Sequence, residues 1–157
     1  MVMEFQGILG KICQVYGDDE EERKDLFQEI LIQLWKSYPS FRGEAKFSTW
    51  MYQVAFNVAI QFLRKRKRRP DTEELTYEHI DRHTQTPGED PMEEKKGKLK
   101  LAISLLCDTD KAIILLYLEE RSLEEISEIL GITPNHASVK IHRIKSKLKK
   151  LLTGLQV

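Results

Sequence analysis

Apolar residues along this chain recur at steps of three and four, and no stretch alternates long enough to read as a strand. Phe5, Ile8, Leu9, Ile12, Cys13 and Tyr16 predict an amphipathic helix over residues 4–16, although Gly7 and Gly10 weaken it. "GDDEEE" (17–22) then gives a break and an acidic start for a second helix. There Leu26, Phe27, Ile30, Leu31 and Leu34 form one stripe. Ile32 and Trp35 fall off it, beside Asp25, Gln28, Glu29 and Lys36. A second apolar face means deep burial or a bound partner. Pro39 ends this helix.

From Phe47 a long helical pattern runs to Arg69, where Pro70 stops it. Phe47, Met51, Val54, Val58 and Phe62 are its expected core stripe. Trp50, Gln53, Asn57, Gln61 and Arg64 occupy the other side, leading into "RKRKRR" (64–69). Residues 71–97 change character: Thr, Glu, Asp, Pro and Gly dominate, with Pro87, Gly88 and Pro91 as breakers and a short turn allowed around Tyr77–Arg82. Beyond them Leu99, Ala102, Ile103 and Leu106 predict a helix. Asp108 or Thr109 can cap the next, "KAIILLYLEE" (111–120). "SLEE" (122–125) offers a capping box, with Leu123, Ile126, Ile129 and Leu130 facing inward. In "GIT" (131–133) Gly131 closes one helix and Thr133 caps another, with Pro134 at its first position. The fold class expected is all-α: two small helical domains, residues 1–70 and 98–157, joined by an acidic linker at 71–97. The second is a helix-turn-helix domain.

Composition refines this picture only locally. The 157 residues carry 25 Lys/Arg and 25 Asp/Glu, a formal net charge of zero. That balance divides into 12 basic and 9 acidic residues over 1–70, 3 and 9 over 71–97, and 10 and 7 over 98–157. Two basic-leaning blocks flank an acidic one, so local clusters carry the information about partners. No apolar run approaches the roughly 20 residues of a membrane span, so membrane insertion is not expected. "MVMEFQG" lacks the basic and apolar segments of a secretion signal, which points to the cytoplasm. Cys13 and Cys107 sit in apolar helical contexts and read as buried free thiols. His79 and His83 are four apart but make a poor metal site without further ligands. The 8 glycines are scattered, with no phosphate loop, and no nucleophile–base set has context. Neither a metal, a cofactor nor an enzymatic activity is expected.

Two constellations suit nucleic acid. Over 134–152, Ala137, Ile141, Ile144, Leu148 and Leu151 form an apolar stripe. His136, Lys140, Arg143, Lys147 and Lys150 form a cationic stripe, read as lying on the opposite side. Such a helix after a capped turn can enter a major groove and set its lysines near phosphates. The plainer reading is a solvated basic face. In the other, Trp50, Gln53, Asn57 and Gln61 lead into dense positive charge. That arrangement suits stacked, hydrogen-bonded bases beside a phosphate backbone. Equally, Trp50 can be a core anchor and the basic run a favourable helix C-terminus. "FRGEAKFSTW" (41–50) raises the same question, because its three rings can be packing or a surface.

"DLFQEILIQLWKSYPSFRGEAKFSTWMYQVAFNVAIQFLRKRKRR" (25–69) resembles region 2 of bacterial RNA polymerase sigma factors of the extracytoplasmic-function (ECF) type. "SLEEISEILGITPNHASVKIHRIKSKLKKLL" (122–152) resembles their region 4. The resemblance implies a chain that binds core polymerase and promoter DNA and directs recognition, melting and initiation. It places Asp25, Gln28, Glu29, Ile32 and Trp35 on the β′ clamp and the first region-4 helices on the β flap. It assigns Phe41, Arg42, Gly43, Lys46, Trp50, Gln53, Asn57, Gln61, Arg64, Lys65 and Arg68 to the −10 element. It assigns Thr133, Asn135, His136, Ser138, Lys140, His142, Arg143 and Lys147 to the −35 element. Ser138 and Val139 stand where the family often has a basic residue followed by Ser. An anti-sigma factor is an implied partner, and the free chain is expected to be monomeric. The alternatives are a stand-alone helix-turn-helix regulator, which leaves 25–69 unexplained, and a sigma-like decoy for an anti-sigma protein.

Overall fold

The computed structural model describes residues 5–68 and 90–154, with the side chain of Arg68 excepted. The described residues form seven α-helices and no strand. These are α1 (Gln6–Tyr16), α2 (Glu20–Ser37), α3 (Phe47–Arg68), α4 (Pro91–Ser104), α5 (Asp108–Leu118), α6 (Leu123–Leu130) and α7 (Pro134–Gly154). A 3₁₀ turn, Tyr38–Ser40, follows α2. The all-α, two-domain class read from the sequence holds. Tyr77–Arg82, His79 and His83 lie outside the described residues.

Helices α1, α2 and α3 pack on one another, and α7 packs against α4, α5 and α6. In α1 the buried residues are the predicted Ile8, Leu9, Ile12, Cys13 and Tyr16, with Phe5 partly buried. Helix α2 starts with Asp19 accepting from the Glu22 N–H at 2.7 Å and buries Leu26, Ile30 and Leu34.

Helix α3 departs from its expected stripe. Met51, Tyr52, Ala55, Phe56, Ala59 and Leu63 are buried, whereas Phe47, Val54, Val58 and Phe62 are only partly covered. The apolar surface of α3 is broad because α3 packs on α1 and α2 and also on α5 and α6. A single stripe is too narrow for that many neighbours.

Three further corrections follow from local geometry. Helix α4 begins at Pro91, inside the stretch read as linker. Asp90 caps it and Pro91 takes the first turn, where a proline costs no hydrogen bond. Helix α5 is preceded by Cys107 without a side-chain cap, and Asp108 lies inside its first turn. Both cysteines are free, but only Cys13 is buried; Cys107 is exposed in the α4–α5 turn.

The helix-turn-helix forms as its turn residues require. Ser122 accepts from the Glu125 N–H at 3.1 Å, and Thr133 from the His136 N–H at 3.1 Å. Gly131 adopts φ 68, the left-handed conformation that closes α6. Glu120 takes φ 59 without being glycine, and the Arg121 N–H returns to the Leu116 carbonyl at 3.1 Å.

Candidate nucleic-acid and polymerase interfaces

The loop before α3 is an aromatic assembly. Phe41 lies 5.2 Å from Trp50 and 5.8 Å from Phe47, and Phe47 lies 5.5 Å from Trp50, centroid to centroid. Tyr38 joins through Phe41 and Trp50, and Phe5 joins through Phe47. All three rings of "FRGEAKFSTW" are therefore partly buried against each other. Trp50 packs on the core as well as bordering the polar side of α3. Gly43 supplies the left-handed turn of the loop at φ 74, while Arg42, Glu44 and Lys46 project into solvent. Periodicity missed the contributions of Tyr38 and Phe5, because ring pairs across a loop follow no helical step.

Along α3, Asn57, Gln61 and Arg64 are exposed in line. Gln53 is not free: its side-chain amide donates to the Glu128 carbonyl of α6 at 3.0 Å. Lys65 leaves this line. It shares a groove of about 320 Å³ with Asp25, Gln28, Glu29 and Ile32 of α2, and with Phe62 and Arg66. Arg66 pairs with Glu22 at 2.9 Å and Asp18 at 3.2 Å, tying the end of α3 to the start of α2. On the outer face of α2, Ile32 is 53% exposed and Trp35 is 85% exposed. Their off-stripe position produces an uncovered apolar surface among charged neighbours, the profile of a docking face.

Helix α7 buries Ala137, Ile141, Ile144 and Leu148. Thr133, Asn135, His136, Ser138, His142, Arg143 and Lys147 are exposed. Lys140 is half-covered and reaches Asp110 at 3.5 Å. At about 100° per residue, His136, Lys140, Arg143, Lys147 and Lys150 run roughly a quarter-turn from the buried stripe. They do not lie opposite it. The line diametrically opposed to the core is Asn135, Val139, His142 and Ser146, all exposed. Val139 enters the sequence reading only as a departure from the family pattern, and neither it nor Ser146 is among the assigned contacts. A wheel centred on the apolar residues, with no weight given to charge, finds both.

The two halves also touch. The Tyr16 hydroxyl donates to the Asp108 carbonyl at 2.7 Å, and the Asp108 carboxylate takes Lys67 at 3.1 Å and Arg64 at 3.9 Å. Lys11 pairs with Glu119, and the Arg121 guanidinium sits 5.4 Å over the buried Tyr52 ring. Burial first, then the nearby Asp108 charge, pushes the Tyr16 phenol far above its ordinary value. Burial likewise raises Tyr52, with Arg121 opposing. Lys111, 5.7 Å over the Tyr16 ring, is pushed down by its own burial.

An all-α chain with an amide face running into a basic helix end, followed by a capped helix-turn-helix, has the architecture of a DNA-binding protein with two separate contact surfaces. The family model for Sigma-70 region 2 matches residues 1–69, and that for Sigma-70, region 4 matches residues 96–148. The ECF RNA polymerase sigma factor SigW of Bacillus subtilis is 33% identical over 157 residues, covering 92% of this chain and 83% of that protein. The ECF RNA polymerase sigma-E factor of Haemophilus influenzae is 29% identical over 141 residues, covering 83% of this chain and 75% of that one. The chain belongs to the RNA polymerase sigma factors of the ECF type, and its function is to direct polymerase to promoters.

The fold agrees with solved structures. The sigma factor RpoE of Bartonella quintana, in complex with the anti-sigma factor NepR, matches with a TM-score of 0.70 at 17% identity, over 97% of this chain and 94% of that one. CnrH, in complex with the cytosolic domain of CnrY, matches with a TM-score of 0.69 at 18% identity, over 98% of this chain and 85% of that one. Among the described residues, no helix is long and apolar enough to cross a membrane.

Proposed function

We propose a division of labour between the two halves. Helix α3 and the ring-anchored loop before it hold the unpaired −10 strand, with Asn57 and Gln61 on bases and Arg64 on phosphate. Helix α7 reads the −35 element as duplex, and the outer face of α2 docks on the polymerase clamp through Ile32 and Trp35. The observation that carries this is the exposed line Asn57–Gln61–Arg64: two amides and a cation at helical spacing, with Arg64 held, among the described residues, only by the Asp108 carboxylate at 3.9 Å. Unstacking a base costs a few kcal/mol, and a stacking site returns about 1–3 kcal/mol per base. The chain therefore does no bond chemistry; it stabilises the open strand, and melting follows from capture. It works in the cytoplasm beside the polymerase. The solved RpoE complex with NepR supports an anti-sigma protein as a further partner.

The test pairs two measurements on the holoenzyme. Asn57→Ala is expected to reduce open-complex formation while leaving core binding intact, and Trp35→Ala to reduce core binding first. Equal loss of both activities in Asn57→Ala would count against a base contact.

A further inference from the structure

Val139 has no structural reason to be where it is. It is 41% exposed and points about 180° from the buried stripe of α7. A β-branched residue in an exposed helix is a poorer helix former than Ala. Its neighbours on the outermost line, Asn135 and His142, are hydrogen-bonding groups, and cations flank that line on both sides, Lys140, Arg143 and Lys147 on one and Lys145 and Lys149 on the other. A helix seated in the major groove by that face brings Val139 to the base edges and the lysines to a phosphate wall. The one apolar group that the major groove offers is the C5 methyl of thymine. We propose that Val139 is a specificity-determining residue that reads a thymine methyl in the upstream duplex element, an inference resting on the assignment of α7 to that element.

The experiment selects duplexes from a random library with holoenzyme carrying wild type, Val139→Ala or Val139→Ser. Uracil then replaces each selected thymine, which removes only the methyl. Replacement at one position is expected to weaken wild type about fourfold, the weight of one buried methyl-sized group. It should leave both variants unchanged, and their selected sites should lose that thymine. Uracil that is harmless throughout, or equally harmful to wild type and variants, overturns the role of Val139 while Lys147→Ala still weakens binding. Selection of no upstream element, with Lys147→Ala also silent, overturns the reading of α7 itself.

Discussion

Helices α3 and α7 are the two long basic helices among the described residues, and their neighbours cover them differently. Helix α3 is covered on several sides, and its polar line is short and amide-rich, with Gln53 engaged by α6. Helix α7 is covered along one stripe and leaves the rest open. A helix that traps a single strand needs a narrow, shaped surface supported by a rigid loop. A helix that lies in a groove needs a wide one. The different roles proposed for residues of similar local charge thus rest on how much of each helix its neighbours cover.

The largest effect tests whether that covering is shared. Buried residues from both halves belong to one apolar cluster, and Phe56 stacks on Tyr52 and lies 6.4 Å from Tyr16. Phe56→Ala should cost about 3–5 kcal/mol. Both tryptophans lie in the first half, so their fluorescence reports α1–α3 whereas circular dichroism reports every helix. Coincident urea transitions in wild type, shifted together by the mutation, mark one cooperative unit. Fluorescence shifted alone would mean that the halves fold independently.

Next comes alkaline pH, which loads the α1 side of the contrast. Burial pushes the Cys13 thiol from 9.0 up to about 11. Its folded pKa is the higher one, so its contribution is complete below pH 9 and is lost as pH rises to about 11, on the order of 2–3 kcal/mol. Tyr16 acts in the same direction above pH 10. Lys111 opposes them: its folded pKa is depressed, so its contribution is present above the ordinary lysine range and lost as pH falls. Urea midpoints from pH 8 to 11 should fall in wild type, less steeply in Cys13→Ala and more steeply in Lys111→Met.

Two left-handed residues give smaller, opposite effects within the second half. Gly131→Ala strains φ 68 and should cost about 1 kcal/mol even though its Cβ would meet open space. Glu120→Gly relieves φ 59 and should gain a similar amount, less the entropy glycine adds to the unfolded chain. Thermal midpoints moving apart around wild type would establish that backbone conformation, and not lost side-chain contact, sets both changes.

Much of this was legible in the sequence where a helix buries a single narrow stripe or carries its own caps. The stripe of α1, the exposed Ile32 and Trp35, and the caps at Ser122 and Thr133 follow from spacing alone. The failures have a common cause. Phe47, Val54, Val58 and Phe62 were expected in the core because a single-stripe reading gives α3 one partner, and it has several. The cationic line of α7 lies a quarter-turn from its core and not opposite it, because a shared rhythm of threes and fours defines a line along a helix but not its angle to another. Tyr38, Phe5 and the contacts of Asp108 and Glu128 join residues distant in sequence, and periodicity carries no such information. Lys65 was grouped with Arg64 by adjacency, yet one step along a helix turns a side chain about 100°.

The smallest effect separates two lysines that the sequence treats alike. Lys147 is exposed, whereas Lys140 is half-covered and directed to Asp110. A lysine on phosphate releases a counterion, so its removal should lower the salt slope of duplex binding by about 1. Lys147→Ala should show that change with the holoenzyme on upstream duplex. Lys140→Ala should show less, because its charge is already partly compensated within the protein. Asp110→Asn frees Lys140 and should steepen the slope toward one further contact. If Lys140→Ala and Lys147→Ala change the slope equally, Lys140 leaves Asp110 when DNA binds, and the open face of α7 is wider than its free geometry.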